Sequence, residues 1–147
     1  MYDYFHSYLN IPDTSNRDSL FQAEARRCKT IFEFIKKHNK KRHLCIFDEI
    51  YSGTNPSDAV FCANVYLNGM NQYKSHVDYV LTTHYLELCK KYEKDETIQN
   101  QKMEVIEKDK DNIEYTYLLK DGISDVHGGF HVLQNLDYPD ELLESKC

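Results

Sequence analysis

The apolar positions of this chain change period along its length, and those changes mark out its elements. Tyr2, Tyr4, Phe5, Tyr8, Leu9 and Ile11 make an aromatic stretch that reads as a strand. The polar run from Asp13 to Ser19 is a loop ending in helix-capping residues. Cys28, Ile31, Phe32 and Ile35 then recur at helical spacing, with Leu20 and Phe21 extending the set backward, which predicts an amphipathic helix from about Asp18 to Lys37. Leu44-Cys45-Ile46-Phe47 is a continuous apolar run that stops at Asp48-Glu49 and the small-residue turn Ser52-Gly53-Thr54-Asn55-Pro56. Such a run reads as a fully buried strand at the centre of a parallel sheet.

Asn55 is a good N-cap and Pro56 a good first helical residue, and Ala59, Cys62, Ala63, Tyr66, Leu67 and Met70 mark one face of a helix to about Gln72. Val77 to Leu81 is a second buried strand, ending in Thr82-Thr83-His84, with a short helix from Tyr85 to Tyr92 beyond it. Lys94 to Lys102 reads as a surface loop. Met103 to Glu107 and Ile113 to Lys120 form a hairpin around the charged turn Lys108 to Asn112, the second strand alternating at Ile113, Tyr115, Tyr117 and Leu119. Asp121-Gly122 is a turn, Gly128-Gly129 opens a last helical piece through Val132, Leu133 and Leu136, and Pro139 ends it. The pattern is α/β: a mostly parallel sheet flanked by helices, with a C-terminal β-hairpin and no internal boundary or repeat.

Chemistry concentrates at the strand ends. In open α/β sheets ligands bind outside the carboxyl ends of the strands. In nucleotide-hydrolysing enzymes of this layout an Asp there holds Mg²⁺, usually through water, and a following Glu can orient or deprotonate the attacking water, so Asp48-Glu49 has the character of a Walker B element. The simpler reading is a buried strand that stops at two solvated acids. Strand, helix, strand of these lengths is a right-handed crossover, which brings His84 to the same sheet edge as Asp48 and Glu49, placed to hydrogen-bond a terminal phosphate or the attacking water. The polar loop is delivered by a helix N-terminus, where unpaired N–H groups favour phosphate, making Ser19 and Asn16 candidates for a phosphate contact. The simpler role for Ser19 or Asp18 is to cap the helix. Lys36, Lys37, Lys40, Lys41 and Arg42 admit contact with nucleic acid, or complement the helix dipole and solvate a loop.

With 147 residues, 41% hydrophobic and 29% charged, the chain has the size and balance of one soluble globular domain. A net charge of −6 excludes nucleic-acid binding over the whole surface and leaves room only for a local patch. The five cysteines, Cys28, Cys45, Cys62, Cys89 and Cys147, are odd in number, with neither zinc spacing nor a disulfide framework, and read as reduced thiols of an intracellular protein. No signal peptide and no membrane-spanning apolar run is visible.

Four blocks, taken in order, resemble the C-terminal ATPase domain of the MutS DNA mismatch-repair family, within the ABC-type ATPase superfamily. Asn16-Arg17-Asp18-Ser19-Leu20-Phe21-Gln22-Ala23-Glu24 is similar to its signature segment, with Asn16 near a usual Gly. Phe47-Asp48-Glu49-Ile50 with Ser52-Gly53-Thr54 and Asp58 resembles its Walker B and D-loop. Thr82-Thr83-His84-Tyr85-Leu86-Glu87-Leu88 is similar to its histidine switch. Asp121-Gly122-Ile123-Ser124 through Gly129 to Pro139 resembles its closing segment, with His127 and Gly128 replacing more typical Ser and Tyr. The resemblance spans about Ser15 to Leu143. It implies a P-loop NTPase-like fold of the ABC type, with ATP and Mg²⁺ as cofactors and two subunits, alike or different, facing each other across the nucleotides. By carry-over Asp48 ligates the Mg²⁺ shell, Glu49 activates water, His84 senses the γ-phosphate, and Ser19 reaches the partner's nucleotide. DNA is engaged through other domains of the parent protein.

One departure matters most: no Gly-x-x-x-x-Gly-Lys-Ser/Thr occurs in the chain. The amides, the Lys and the hydroxyl that hold phosphates and Mg²⁺ in the family are missing. Residues 1–147 therefore read as the C-terminal portion of such an ATPase, a fragment or a split protein whose partner supplies the phosphate loop, and ATP hydrolysis is not expected of the chain alone. Two other readings are a non-catalytic dimerisation module derived from such an ATPase and the head of another ABC-type DNA-maintenance ATPase. Long coiled-coil flanks and a Leu-Ser-Gly-Gly signature would mark the last, and neither is present. Without its phosphate-loop strand the sheet is expected to have an unprotected edge.

Overall fold

A computed structural model describes residues 1–9, 19–109, 112–124, 126 and 128–143. By contacts the chain divides into two units, Met1–Lys91 and Tyr92–Cys147.

The first unit alternates strand and helix: β1 (Tyr4–Tyr8), α1 (Leu20–Lys37), β2 (His43–Asp48), α2 (Pro56–Asn71), β3 (Val77–Thr82) and α3 (Leu86–Lys91). The three strands form a parallel sheet in the order β1-β2-β3, so the acidic strand is the central one. Register runs from Tyr4 opposite His43 to Tyr8 opposite Phe47, and from His43 opposite Val77 to Asp48 opposite Thr82.

The helices begin where capping chemistry allows. Ser19 caps α1 in a capping box: its side chain accepts from the Gln22 N–H at 3.4 Å, while Gln22 Oε1 accepts from the Ser19 N–H at 3.1 Å. Asn55 caps α2, accepting from the Asp58 N–H at 3.0 Å, and Pro56 follows as the first helical residue.

Both helices lie on one face of the sheet. Phe34 of α1 meets Tyr4 edge-on at 5.0 Å, Phe47 of β2 meets Tyr66 of α2 at 5.5 Å, and Phe32 of α1 packs against Tyr66 and Gly69 of α2. The core comprises Tyr8, Cys28, Ile31, Ile35, Cys45, Phe47, Ala63, Leu67 and Met70. The expectation of fully buried strands is thereby corrected. Along β2 only alternate residues, His43, Cys45 and Phe47, are buried, while Ile46 is 45% exposed and Val80 on β3 is 58% exposed. The physical reason is the strand order. Strands laid down one after another in a single direction, joined by crossovers of the same hand, put every connecting helix on the same face. Covering the second face requires the order to reverse.

The second unit consists of the antiparallel hairpin β4 (Gln101–Asp109) and β5 (Asn112–Asp121), followed by α4 (Gly128–Asn135) and α5 (Asp140–Leu143). The expected alternation along β5 is interrupted. Between Met103–Leu119 and Val105–Tyr115, two steps on β4 face four on β5, and Tyr117 takes φ 60° in the bulge. The last helix also ends earlier than Pro139, and that proline leads into α5 instead.

No helix among the described residues is long and apolar enough to cross a membrane. The basic cluster is partly neutralised: Lys41 lies 3.3 Å from Asp3, and Arg42 lies 2.8 Å from Asp78 and over the ring of Tyr2. Cys28, Cys45, Cys62 and Cys89 are not in disulfides, and burial pushes both Cys28 and Cys45 up to about 12. Cys147 lies outside the described residues.

Candidate nucleotide-hydrolysis site

The carboxyl ends of β2 and β3 carry the polar groups the sequence singles out. Asp48 is the last residue of β2 and faces Thr82 in register, so that Thr82 Oγ1 donates to Asp48 Oδ1 at 2.6 Å. Glu49 leaves the strand with φ 49°, a left-handed conformation that costs a non-glycine residue about 1 kcal/mol or more, while its N–H still donates to the Thr82 carbonyl at 3.1 Å. Tyr51 repeats the strain at φ 62°. Two such residues within three turn the chain sharply off the strand and direct the Glu49 side chain toward β3.

There it meets His84. The His84 Nδ1 and Glu49 Oε1 are 3.1 Å apart, with both side chains half-exposed. An ionised carboxylate only accepts, so the imidazole donates from Nδ1, and the pairing assigns its tautomer. The second ring nitrogen then holds a lone pair when neutral and a donor when charged. Thr83 Oγ1 accepts from the Tyr85 N–H at 3.1 Å, closing the turn that presents His84, and the imidazole lies 4.2 Å from the Tyr85 ring. Burial, and then the charges of Glu24 and Glu49, push the Tyr85 hydroxyl above its usual range.

The structure thus brings Asp48, Glu49 and His84 together, as the topology predicts. Ser19 is engaged as a helix cap, and Asn16 lies outside the described residues. Among the described residues, no group of three or more His, Cys, Asp or Glu is set to hold a metal ion. A cavity of about 610 Å³ occurs elsewhere, in the second unit, lined by Glu93, Asp95, Thr97, Ile98 and Gly122 among others.

These features sit in a segment with known relatives. A family model described as MutS domain V matches residues 5–146. The chain belongs to the MutS domain V family. It is 32% identical over 109 residues to the DNA mismatch repair protein MutS of Aquifex pyrophilus, covering 74% of this chain and 12% of that protein. It is 26% identical over 142 residues to the endonuclease MutS2 of Clostridium botulinum strain Okra, covering 96% and 17%. It is 25% identical over 131 residues to MutS of Leuconostoc mesenteroides, covering 89% and 15%. The chain therefore spans 12% to 17% of the length of these relatives.

This domain V chain also uses a residue whose part the sequence reading did not derive. Glu24 of α1 is 2% exposed, on the same stripe as Cys28, Ile31 and Ile35. Its Oε1 accepts from the Ser52 N–H at 2.9 Å and the Ser52 hydroxyl at 2.8 Å, and its Oε2 accepts from the Gly53 N–H at 3.0 Å. A bare buried carboxylate costs several kcal/mol, which three charge-assisted hydrogen bonds offset. A signal was available: a Glu four residues before Cys28 extends the apolar stripe of the helix, and an acid there needs buried donors.

Proposed function

We propose that this MutS domain V chain contributes the acid and histidine half of an ATP-hydrolysing site in a MutS-like protein of the P-loop, ABC-type ATPase class. The observation that carries the reading is the Glu49–His84 pair beside the Asp48–Thr82 pair, at the carboxyl ends of adjacent parallel strands. In this reading Glu49 orients and deprotonates the attacking water, and His84, held through Nδ1, turns its other ring nitrogen to a phosphate oxygen and, when charged, donates to it. Asp48 holds Mg²⁺ through water.

The donor set fits that ion. Mg²⁺ keeps several waters and binds proteins through one or two carboxylates plus phosphate oxygens. Asp48, with one oxygen already taking the Thr82 proton, suits such an outer role. ATP with Mg²⁺ would supply the transferable phosphoryl group and the positive charge that steadies it.

The phosphate cradle comes, in this reading, from polypeptide outside these residues. Two acids without backbone amides and a Lys repel a triphosphate, so the chain alone binds ATP weakly or not at all. Ser19, at the N-terminus of α1, reaches the nucleotide of a facing subunit, in a homodimer or heterodimer, and DNA is engaged by other parts of the parent protein. Mismatch repair is the setting the relatives' names offer.

The test is ATP hydrolysis by the purified chain, with and without a polypeptide carrying the phosphate loop. Hydrolysis is expected only with the added half, falling about 10²-fold or more in Glu49→Ala. A well-folded complex that never hydrolyses ATP, or one in which Glu49→Ala matches the parent, would overturn the reading in favour of a non-catalytic interaction module.

A further inference from the structure

We infer that Glu24 is a positioning residue for Glu49, and that through it the N-terminus of α1 and the acidic turn after β2 form one rigid unit. The inference rests on the role given to Glu49 above, but its geometry stands independently.

Glu24 is one turn into α1, and its three hydrogen bonds reach both Ser52 and Gly53, the residues just after the corner strained at Glu49 and Tyr51. Gly53 adds a second tie. A Cβ there would come within 2.7 Å of Leu20 Cγ and 2.8 Å of the Phe21 backbone nitrogen, so the turn lies directly on the first turn of α1. Backbone strain persists only where its surroundings over-determine it. The left-handed Glu49 and Tyr51 are bracketed on one side by the Glu49 N–H bond to Thr82 and on the other by the Glu24 clamp. Releasing the clamp lets the turn relax, and the Glu49 carboxylate drifts from His84. The same clamp joins the capped end of α1, where Ser19 sits, to the acid that meets His84, so a contact at Ser19 bears mechanically on Glu49.

The experiment uses NMR of the full 147-residue chain. In Glu24→Gln the side chain keeps one acceptor oxygen, so the NH₂ group faces either the Gly53 N–H or the Ser52 N–H and the clamp loses its hold on one of the two residues. Its His84 ring resonances are expected to move in the same direction as in Glu49→Gln, while those of His6 and His43, at the opposite end of the sheet, stay in place. Amide hydrogen exchange at Glu49 is expected to accelerate about tenfold, with exchange at Ile31 and Ile35 unchanged. Gly53→Ala, which displaces the turn from α1 without touching a carboxylate, is expected to give the same signature, and it decides the matter if Glu24→Gln does not fold. Folded variants in which acceleration is confined to Ser52 and Gly53, with His84 unmoved, would overturn the inference. With the phosphate-loop half added, Glu24→Gln is expected to lower kcat about tenfold with KM little changed. If the parent assembly never hydrolyses ATP, the functional reading falls while the resonances still decide the positioning role.

Discussion

At the scale of single residues, the two ends of the sheet use histidine in different ways. His84 is half-exposed and paired with a carboxylate, open to ligands. His43 is fully buried at the start of β2, its Nε2 3.1 Å from the His38 carbonyl and its Nδ1 2.9 Å from His6 Nε2. A carbonyl only accepts, so His43 donates from Nε2 and accepts at Nδ1, and His6 donates from Nε2. Burial, then His43 and the Arg27 charge, hold His6 below the usual histidine range. The sign follows by linkage. The unfolded chain takes up the His6 proton more readily, so stability is full above the ordinary histidine pKa of about 6.5 and is lost as pH falls through the depressed folded value. Urea unfolding is expected to show a constant midpoint from pH 8 to about 7 and a falling one toward pH 5. In His6→Gln that fall is expected to be shallower.

At the scale of elements, the caps and turns decide more than the propensities. Asn55 accepts from the Asp58 N–H and donates through Nδ2 to Asp58 Oδ2 at 2.7 Å, which starts α2 immediately after the acidic turn. Asn55→Ala is expected to cost about 1 kcal/mol, read as a lower urea midpoint at unchanged slope. In the hairpin, local chemistry overrides alternation. Thr116 Oγ1 lies 3.0 Å from Glu104 Oε2 and accepts from the Leu118 N–H, holding the bulge that leaves Tyr117 81% exposed. Four steps on β5 against two on β4 interrupt the ladder around Tyr117, a break that an alternating pattern read straight through β5 does not reveal.

At the scale of the whole molecule, the feature with the largest consequence is the set of exposed apolar side chains on the second face of the parallel sheet. Ile46 and Val80 lie side by side in register, at 45% and 58% exposure, and Phe5, opposite Leu44 on the same face, is 70% exposed. Parallel sheets are ordinarily covered on both faces, and among the described residues β1 and β3 each pair on one side only, so association through this surface is favoured. The double variant Ile46→Thr, Val80→Thr is expected to raise the concentration at which light scattering first detects aggregates. Its unfolding midpoint is expected to change little, because neither side chain loses much burial.

The sequence by itself determined the order of the five strands and first four helices, the cap Asn55, and the meeting of His84 with Asp48 and Glu49, and it narrowed the cap of α1 to Ser19 or Asp18. Each follows from local periodicity, capping chemistry, or the rule that parallel strands bring their carboxyl ends together. Only the tertiary structure decided which face of the sheet the helices cover, since an apolar run such as Leu44 to Phe47 is equally compatible with one buried face or two. It alone also decided what Glu24 holds. A buried carboxylate needs donors, but the Ser52 and Gly53 amides that satisfy it lie on another element, and no local pattern encodes a partner that only folding brings within 3 Å.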